Sequence, residues 1–83
     1  MVFELNNVVL IGVADRVSAS GTKYVTISVS DGSDFMRCIF ADYKDGEACL
    51  NLPLYKPYNL SLTYNFARKE FYCIGVEAVP DGK

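Results

Sequence analysis

The sequence predicts an all-β protein with a five-stranded OB-fold, a partly open Greek-key barrel, and at most one short helix between strands 3 and 4. Three observations support this class. Five segments have the apolar patterns of strands, the first of them contains Gly12, and the longest connection, residues 41–57, follows the third. An SH3-like barrel or a simple meander also accommodates five strands, but the position of that connection favours the OB-fold. The 83 residues are expected to form one domain.

The first strand is predicted over Val8–Arg16, where Gly12 indicates a bulge or a sharp bend. Residues 18–22 are rich in serine and glycine and are predicted to form a loop. The second strand, Lys23–Asp31, alternates strictly between apolar and polar residues, which is typical of a half-buried strand. Its apolar side carries Val25, Ile27 and Val29.

The tetrapeptide Asp31-Gly32-Ser33-Asp34 predicts a tight hairpin turn into the third strand, because glycine accepts the positive φ that such turns need. This turn sets a register that pairs Ile27 with Cys38 and keeps one face apolar. The other face then gathers Tyr24, Thr26, Ser28, Phe35, Arg37 and Ile39. After this hairpin, Ala41–Leu52 is the one candidate helix, and Gly46 is expected to interrupt it.

A second hairpin closes the chain, with strands predicted over residues 58–66 and 71–79. Pairing Leu62 with Val76 aligns the apolar sides of the two strands. The predicted apolar set of the last strand is Tyr72, Ile74, Val76 and Ala78. The tip between the strands carries Arg68, Lys69 and Glu70, and Phe71 is expected on the polar side.

The composition argues against an enzyme and against a secreted or membrane protein. The chain has no histidine, and no catalytic motif or metal-ligand spacing is recognisable, so no catalytic residue, metal or cofactor is expected. Three cysteines without CxxC spacing are expected to be buried, reduced thiols. The N-terminal MVFELNN lacks the features of a signal peptide, and no apolar run approaches the roughly 20 residues of a membrane helix. A cytoplasmic location without a membrane partner is therefore expected.

The net charge is −2, but the acidic residues are unevenly distributed. Residues 31–47 hold five acidic and two basic residues, a net of −3, and the rest of the chain holds five acidic and six basic residues, a net of +1. A locally basic surface is therefore compatible with an acidic protein, because a ligand responds to the charges that it meets.

The polar face of strands two and three predicts a surface for single-stranded nucleic acid. Bases of single strands stack on aromatic side chains beside cations that contact phosphates, and OB-folds use this face. The predicted nucleic-acid-binding residues are Arg16, Lys23, Tyr24, Phe35, Arg37, Arg68, Lys69 and Phe71. The alternative is a protein-interaction module that docks a partner on Tyr24, Phe35 and Ile39. An RNA binder of the cold-shock type ranks third, because its dense aromatic clusters are missing.

GTKY, Gly21–Tyr24, ends a loop at the start of strand two, and LYKPYNLSLTYNFARKEFYCIGVEAVP, Leu54–Pro80, forms the closing hairpin. Both stretches resemble the small OB-fold single-stranded-DNA-binding proteins of phages, in particular the helix-destabilising protein of filamentous phages. The resemblance implies a phage- or mobile-element-encoded homodimer that binds single-stranded DNA cooperatively, without sequence preference, during replication. It also implies phosphate contacts for Arg16 and Lys23 and base stacking on Tyr24. The residues implied to contact DNA or a neighbouring dimer are Arg68, Lys69 and Phe71.

Overall fold

The computed structural model describes residues 2–79, which form five strands and one short helix. The elements are β1 Val2–Val17, β2 Lys23–Ser30, β3 Phe35–Phe40, α1 Tyr43–Ala48, β4 Pro57–Asn65 and β5 Glu70–Ala78. The strands close into a barrel in the order β1-β2-β3-β5-β4. The predicted all-β OB-fold, with one short helix between strands 3 and 4, is confirmed. Pro80, the last residue of the stretch that resembles the phage proteins, lies outside the described residues.

The barrel is closed by a short seam between β3 and β5. These two strands run parallel and pair through Ile39 with Tyr72 and Phe40 with Cys73. The backbone N–H of Ala41 continues the seam by donating to the carbonyl oxygen of Cys73 at 2.9 Å. The barrel that was expected to be partly open is therefore closed, but by far fewer residue pairs than any of its antiparallel contacts.

β1 is longer than predicted and begins at Val2, well before the expected start. Its first half pairs with β4 and its second half with β2, so that one strand belongs to both sides of the barrel. At the first irregularity Asn7 has a φ of 58°, and its N–H donates to Oδ1 of Asn59 at 2.8 Å. The second irregularity lies immediately before Gly12, as the glycine predicted.

The hairpin of β2 and β3 has the predicted register, with Ile27 paired to Cys38. Gly32 has a φ of 102° in the turn, where a side chain would be strained. The Asp31 carboxylate accepts hydrogen bonds from the backbone N–H groups of Ser33 and Asp34, both at 2.9 Å. The hydrogen bonds from Asp34 and Ser33 hold the pKa of Asp31 below its usual value, because they stabilise the ionised carboxylate.

The hairpin of β4 and β5 does not have the predicted register, because Leu60, and not Leu62, pairs with Val76. The tip between the strands, residues 66–69, lies one residue earlier than predicted. Oδ1 of Asn65 accepts a hydrogen bond from the N–H of Arg68 at 3.0 Å and closes this tight turn.

A bulge in β5 explains the rest of the difference. Ile74 lies as an extra residue between Cys73 and Gly75, which pair with consecutive residues of β4. Cys73 therefore takes the fully buried position, and Ile74, which was expected inside, is 39% exposed. Of the predicted apolar set, Val76 packs against the core, whereas Ile74 and Ala78 are exposed. The prediction failed at Ile74 because the bulge interrupts the alternation on which it was based.

Every strand contributes to one apolar core. Its buried members are Val8, Leu10, Val25, Ile27, Val29, Cys38, Phe40, Tyr58, Leu60, Leu62 and Cys73. The six-residue helix α1 begins after Asp42, whose Oδ1 accepts from the N–H of Lys44 at 3.0 Å. Gly46 lies within this helix and, contrary to expectation, does not interrupt it. A Cβ at that position would approach the Cβ of Val25 to 2.5 Å. Glycine lets the helix pack directly against the barrel.

The three cysteines are free thiols. Cys38 and Cys73 are buried, as predicted, whereas Cys49 is half-buried. The hydrogen bond that Cys38 shares with Cys73, together with burial, raises the pKa of the Cys38 thiol. Burial also raises the pKa of Cys49. Both of these thiols therefore stay protonated near neutral pH and are poor nucleophiles.

Candidate nucleic-acid interface

Two adjoining clefts lie on the outer face of β2 and β3. The larger, about 740 Å³, is bordered by the loop between β1 and β2 and by the tip of the β4–β5 hairpin. The smaller, about 320 Å³, lies beside it over β1 and β3. Tyr24 and Ile39 line both clefts, so the two form one continuous surface with these residues at its centre.

The strand register explains the centre of this surface. Tyr24 lies opposite Arg16 across β1 and β2, so that a cation is placed next to the ring. Thr26 pairs with Ile39, and Arg37 is the next residue of β3 on the same face. Tyr24 is half-buried, and Arg16 and Arg37 are exposed, so all three residues are accessible at least in part to a ligand. Thr26 was expected to be exposed but is 6% exposed and lies at the bottom of the smaller cleft.

Hydroxyl groups of the β1–β2 loop form one wall of the larger cleft. Oγ of Ser18 lies 3.0 Å from Oγ of Ser20 and accepts the backbone N–H of Thr22 at 3.1 Å. Gly21, with a φ of 87°, donates to the Ser18 carbonyl at 2.9 Å and tightens the loop. These bonds hold together a loop whose Ser18, Ser20 and Thr22 line the larger cleft, which Lys23 also lines. The sequence predicted a loop here but not that its hydroxyl groups line a cleft. The regular spacing of Ser18, Ser20 and Thr22, at every second residue, is the sequence feature that indicates a shared polar surface.

The tip of the β4–β5 hairpin forms the opposite wall. Arg68 and Tyr72 line the larger cleft, and Glu70 lines the smaller one. Oε2 of Glu70 accepts a hydrogen bond from the Tyr72 hydroxyl at 3.1 Å and lies 3.9 Å from Nη1 of Arg68. The side chain of Arg68 is 71% exposed, so this ion pair is a weak surface contact.

Phe71 was expected on the polar side of its strand but packs against the core. Its ring lies edge-on to Tyr64, with a centroid separation of 4.9 Å, and to Phe3, at 5.7 Å. Phe71 also lines the smaller cleft. Its ring is therefore held by other aromatic side chains, and part of it borders the candidate interface.

Phe35 and Lys69, which were predicted as binding residues, line neither cleft. Phe35 pairs with Ser30 next to the turn and is 73% exposed. It lies four residues from Ile39 along β3, which is about 13 Å at the rise of a strand. Lys69 is exposed at the hairpin tip with a φ of 56°. The structure therefore brings together Arg16, Lys23, Tyr24, Arg37, Arg68 and Phe71.

Tyr43 is a cleft residue that the sequence did not indicate. It lies on α1, lines the larger cleft, and its hydroxyl donates to Oδ2 of Asp15 at 3.4 Å. Desolvation and the nearby charges of Asp15 and Glu47 raise the pKa of Tyr43. Its place in the cleft depends on how α1 docks on the barrel, which no local pattern encodes.

The charges of the clefts differ from those of the whole protein. Among the described residues that line them, four are cationic, Arg16, Lys23, Arg37 and Arg68, and one is acidic, Glu70. The acidic residues of segment 31–47 line neither cleft. The residues that line the clefts thus carry a formal charge of +3, opposite in sign to the net charge of the whole protein.

Comparisons with protein-family models, with curated proteins and with solved structures find no match to this chain. The resemblance to the phage proteins therefore rests on the two quoted stretches and stays a prediction. Within residues 2–79, no helix is long and apolar enough to cross a membrane. The same residues contain no group of three or more histidine, cysteine or acidic side chains able to hold a metal ion.

Proposed function

We propose that this protein binds single-stranded DNA without sequence preference, and that it coats and protects single strands during replication in the cytoplasm. The observation that carries the proposal is the position of Tyr24, which lines both clefts, each of which is also lined by two cations. An aromatic ring between cations is the arrangement with which single strands are bound, because bases stack on the ring while phosphates contact the cations.

The mechanism divides between stacking and charge. Stacking on an aromatic side chain contributes about 1–3 kcal/mol per base and does not depend on base identity. Four cleft cations, each contacting one phosphate, predict a log–log salt slope of roughly −2.8, from about −0.7 per contact for single strands. No chemical step is involved, so the protein is proposed to act as a binding protein and not as an enzyme.

Fluorescence-anisotropy titration of a labelled oligo-dT strand at several salt concentrations tests the proposal. The wild-type protein should bind and lose affinity as the salt concentration rises. Tyr24→Ala should lose at least about 1 kcal/mol of binding free energy, because it removes the central ring. Tyr55→Ala is the matched control, since Tyr55 is 73% exposed and lines neither cleft. No binding at low salt, or equal losses for both variants, contradicts the proposal.

A homodimer is proposed as the functional unit. Large apolar side chains are exposed outside the two clefts, including Val2, Phe66 and Ile74. Their burial between two copies would remove apolar surface from water, which is the main driving force of association. Light scattering after size-exclusion chromatography tests this proposal, which predicts twice the mass of one chain, and a monomeric mass contradicts it.

A protein-binding role is the second candidate, and the exposure of Phe35 favours it. This ring is 73% exposed and lies apart from the cleft that contains Tyr24. Docking of a protein on Phe35 would tolerate salt and require no nucleic acid, in contrast to binding in the clefts. Phe35→Ala should therefore leave oligo-dT affinity unchanged if this residue belongs to a protein contact.

A further inference from the structure

We propose that Glu70 limits the affinity of the clefts for single strands, because its carboxylate competes with phosphate for Arg68 and Tyr72. This inference rests on the proposed function, since it concerns the same surface. It assigns to Glu70 a role opposite to that of the cations around it. The carboxylate of Glu70 lowers the affinity for single strands and makes no favourable contact with them.

The contacts of Glu70 are those that a phosphate would make. Its Oε2 accepts the Tyr72 hydroxyl at 3.1 Å and lies 3.9 Å from Nη1 of Arg68. Carboxylate and phosphate are recognised by the same donors, namely guanidinium and hydroxyl groups. Both of these donors line the larger cleft. One oxygen of Glu70 thus engages two groups that would otherwise be available to a nucleic-acid backbone.

The backbone of Glu70 is fixed, whereas the side chain of Arg68 is not. Glu70 pairs with Asn65 at the end of the hairpin, and Oδ1 of Asn65 accepts the N–H of Arg68 at 3.0 Å. The Arg68 side chain is 71% exposed and can turn toward a ligand, because an exposed ion pair is easily broken. The carboxylate then remains beside the smaller cleft, where it repels the bound phosphates.

The position of Glu70 also distinguishes it from the other acidic residues of the protein. Among the described residues that line the two clefts, it is the one carboxylate, opposite the four cations. A surface built for the highest affinity would not place an acidic group between the ring of Tyr24 and the hairpin tip. An acidic group there is suited to a protein that must be displaced from the strand during later steps, since a lower affinity permits faster release.

Glu70→Gln tests the proposal, with Glu77→Gln as the matched control. Glu77 is exposed on the same strand and lines neither cleft, and both substitutions change the net charge by the same amount. Glutamine retains an acceptor for the Tyr72 hydroxyl, so the fold should be unaffected. In anisotropy titrations with oligo-dT at low salt, we expect E70Q to bind about threefold to fivefold more tightly than E77Q. Its salt slope should stay close to that of E77Q, because Arg68 is already one of the four cations counted as phosphate contacts.

A double-mutant cycle identifies the group that Glu70 occupies. If the gain comes from the release of Arg68, then Arg68→Ala should cancel most of it in the E70Q background. Equal affinities of E70Q and E77Q overturn the inference and leave the proposed function standing. Weaker binding of E70Q to oligo-dC, with oligo-dT unchanged, also overturns it, because the carboxylate would then accept from the cytosine amino group. If neither the wild type nor E70Q binds at low salt, the proposed function fails and the inference fails with it.

Discussion

The two hairpins of the barrel, β2–β3 and β4–β5, are held in register by different means. In the first, Gly32 supplies the positive φ of the turn, and the Asp31 carboxylate accepts two backbone N–H groups. In the second, the amide oxygen of Asn65 accepts the turn N–H, and the positive φ falls on Lys69. The second hairpin also contains a bulge at Ile74. Register is predictable where turn chemistry and alternation agree, and it is not predictable where a bulge separates them.

The hairpins also differ in what they bring to the candidate interface. The β2–β3 hairpin carries Tyr24, Arg37 and Ile39 on strands whose positions are fixed by pairing, Arg37 and Ile39 within the hairpin and Tyr24 with β1. The β4–β5 hairpin contributes Arg68 and Glu70 from its tip and first strand residue. The first therefore provides a fixed platform, and the second provides the charged groups that border it.

Deleting one residue from each hairpin should give the largest difference between the two hairpins in the effect on folding stability. Deleting Ser28 from β2 moves the residues on one side of the gap to the opposite face, and we expect no cooperative unfolding transition. Deleting Ile74 from β5 makes Cys73 and Gly75 direct neighbours and keeps their partners on β4. The fold should survive with a loss of about 1–2 kcal/mol in the free energy of unfolding. Urea denaturation followed by far-UV circular dichroism measures both, and loss of folding in both variants contradicts the assigned bulge.

The positive-φ residues of the two hairpin turns, Gly32 and Lys69, should respond oppositely to substitution. Gly32→Ala places a Cβ at a φ of 102° and should lower the free energy of unfolding by about 1–2 kcal/mol. Lys69→Gly relieves a left-handed residue at a φ of 56° and should raise it by about 0.5 kcal/mol, since chain entropy offsets part of the gain. Lys56→Gly is the control at an exposed lysine without a positive φ, and it should destabilise. If thermal melts show that Lys69→Gly lowers the melting temperature as Lys56→Gly does, the proposed relief of a left-handed residue at position 69 is contradicted.

The smallest expected effect is the change in the hydrogen bonding of the hairpin turns as the pH is lowered. The pKa of Asp31 is lower in the folded protein than its usual value of 3.8, so its stabilising contribution is complete above that value. The contribution is lost as the pH falls through the lower folded-state pKa. The Asn65 amide does not titrate. From about pH 6 to pH 2 the amide chemical shift of Ser33, whose N–H donates to Asp31, should therefore change, and Asp31→Asn should abolish that change.

Much of the fold followed from local signals in the sequence. The Asp-Gly-Ser-Asp turn and unbroken alternation gave the face that carries Tyr24 and Arg37, and Gly12 marked the irregular point of β1. The early start of β1 could not be predicted, because its residues 2–7 are mostly exposed and gain their strand structure from pairing with β4. The bulge at Ile74 was equally hidden, since an apolar residue there satisfies simple alternation.

The part of the candidate interface that lies on the β2–β3 hairpin could be predicted from the sequence. Phe35 lies on the correct face of β3, but strand length places it about 13 Å from Ile39 and outside the clefts. Tyr43 and Tyr72 were missed for the opposite reason. They reach the cleft through the docking of α1 and the pairing of β3 with β5, which join residues far apart in the chain.

The seam between β3 and β5 also has a consequence for how the protein would respond to its ligand. Ile39 and Tyr72 pair in that seam and line the larger cleft, so the part of the barrel closed by the fewest residue pairs also belongs to the candidate interface. Segments with few hydrogen bonds separate at the lowest free energy. A nucleic-acid strand that ran from Tyr24 to Arg68 would cross the seam between β3 and β5. Its contacts on both sides of the seam would stabilise the closed barrel on binding. The ligand would then complete a closure that the protein alone makes with two residue pairs.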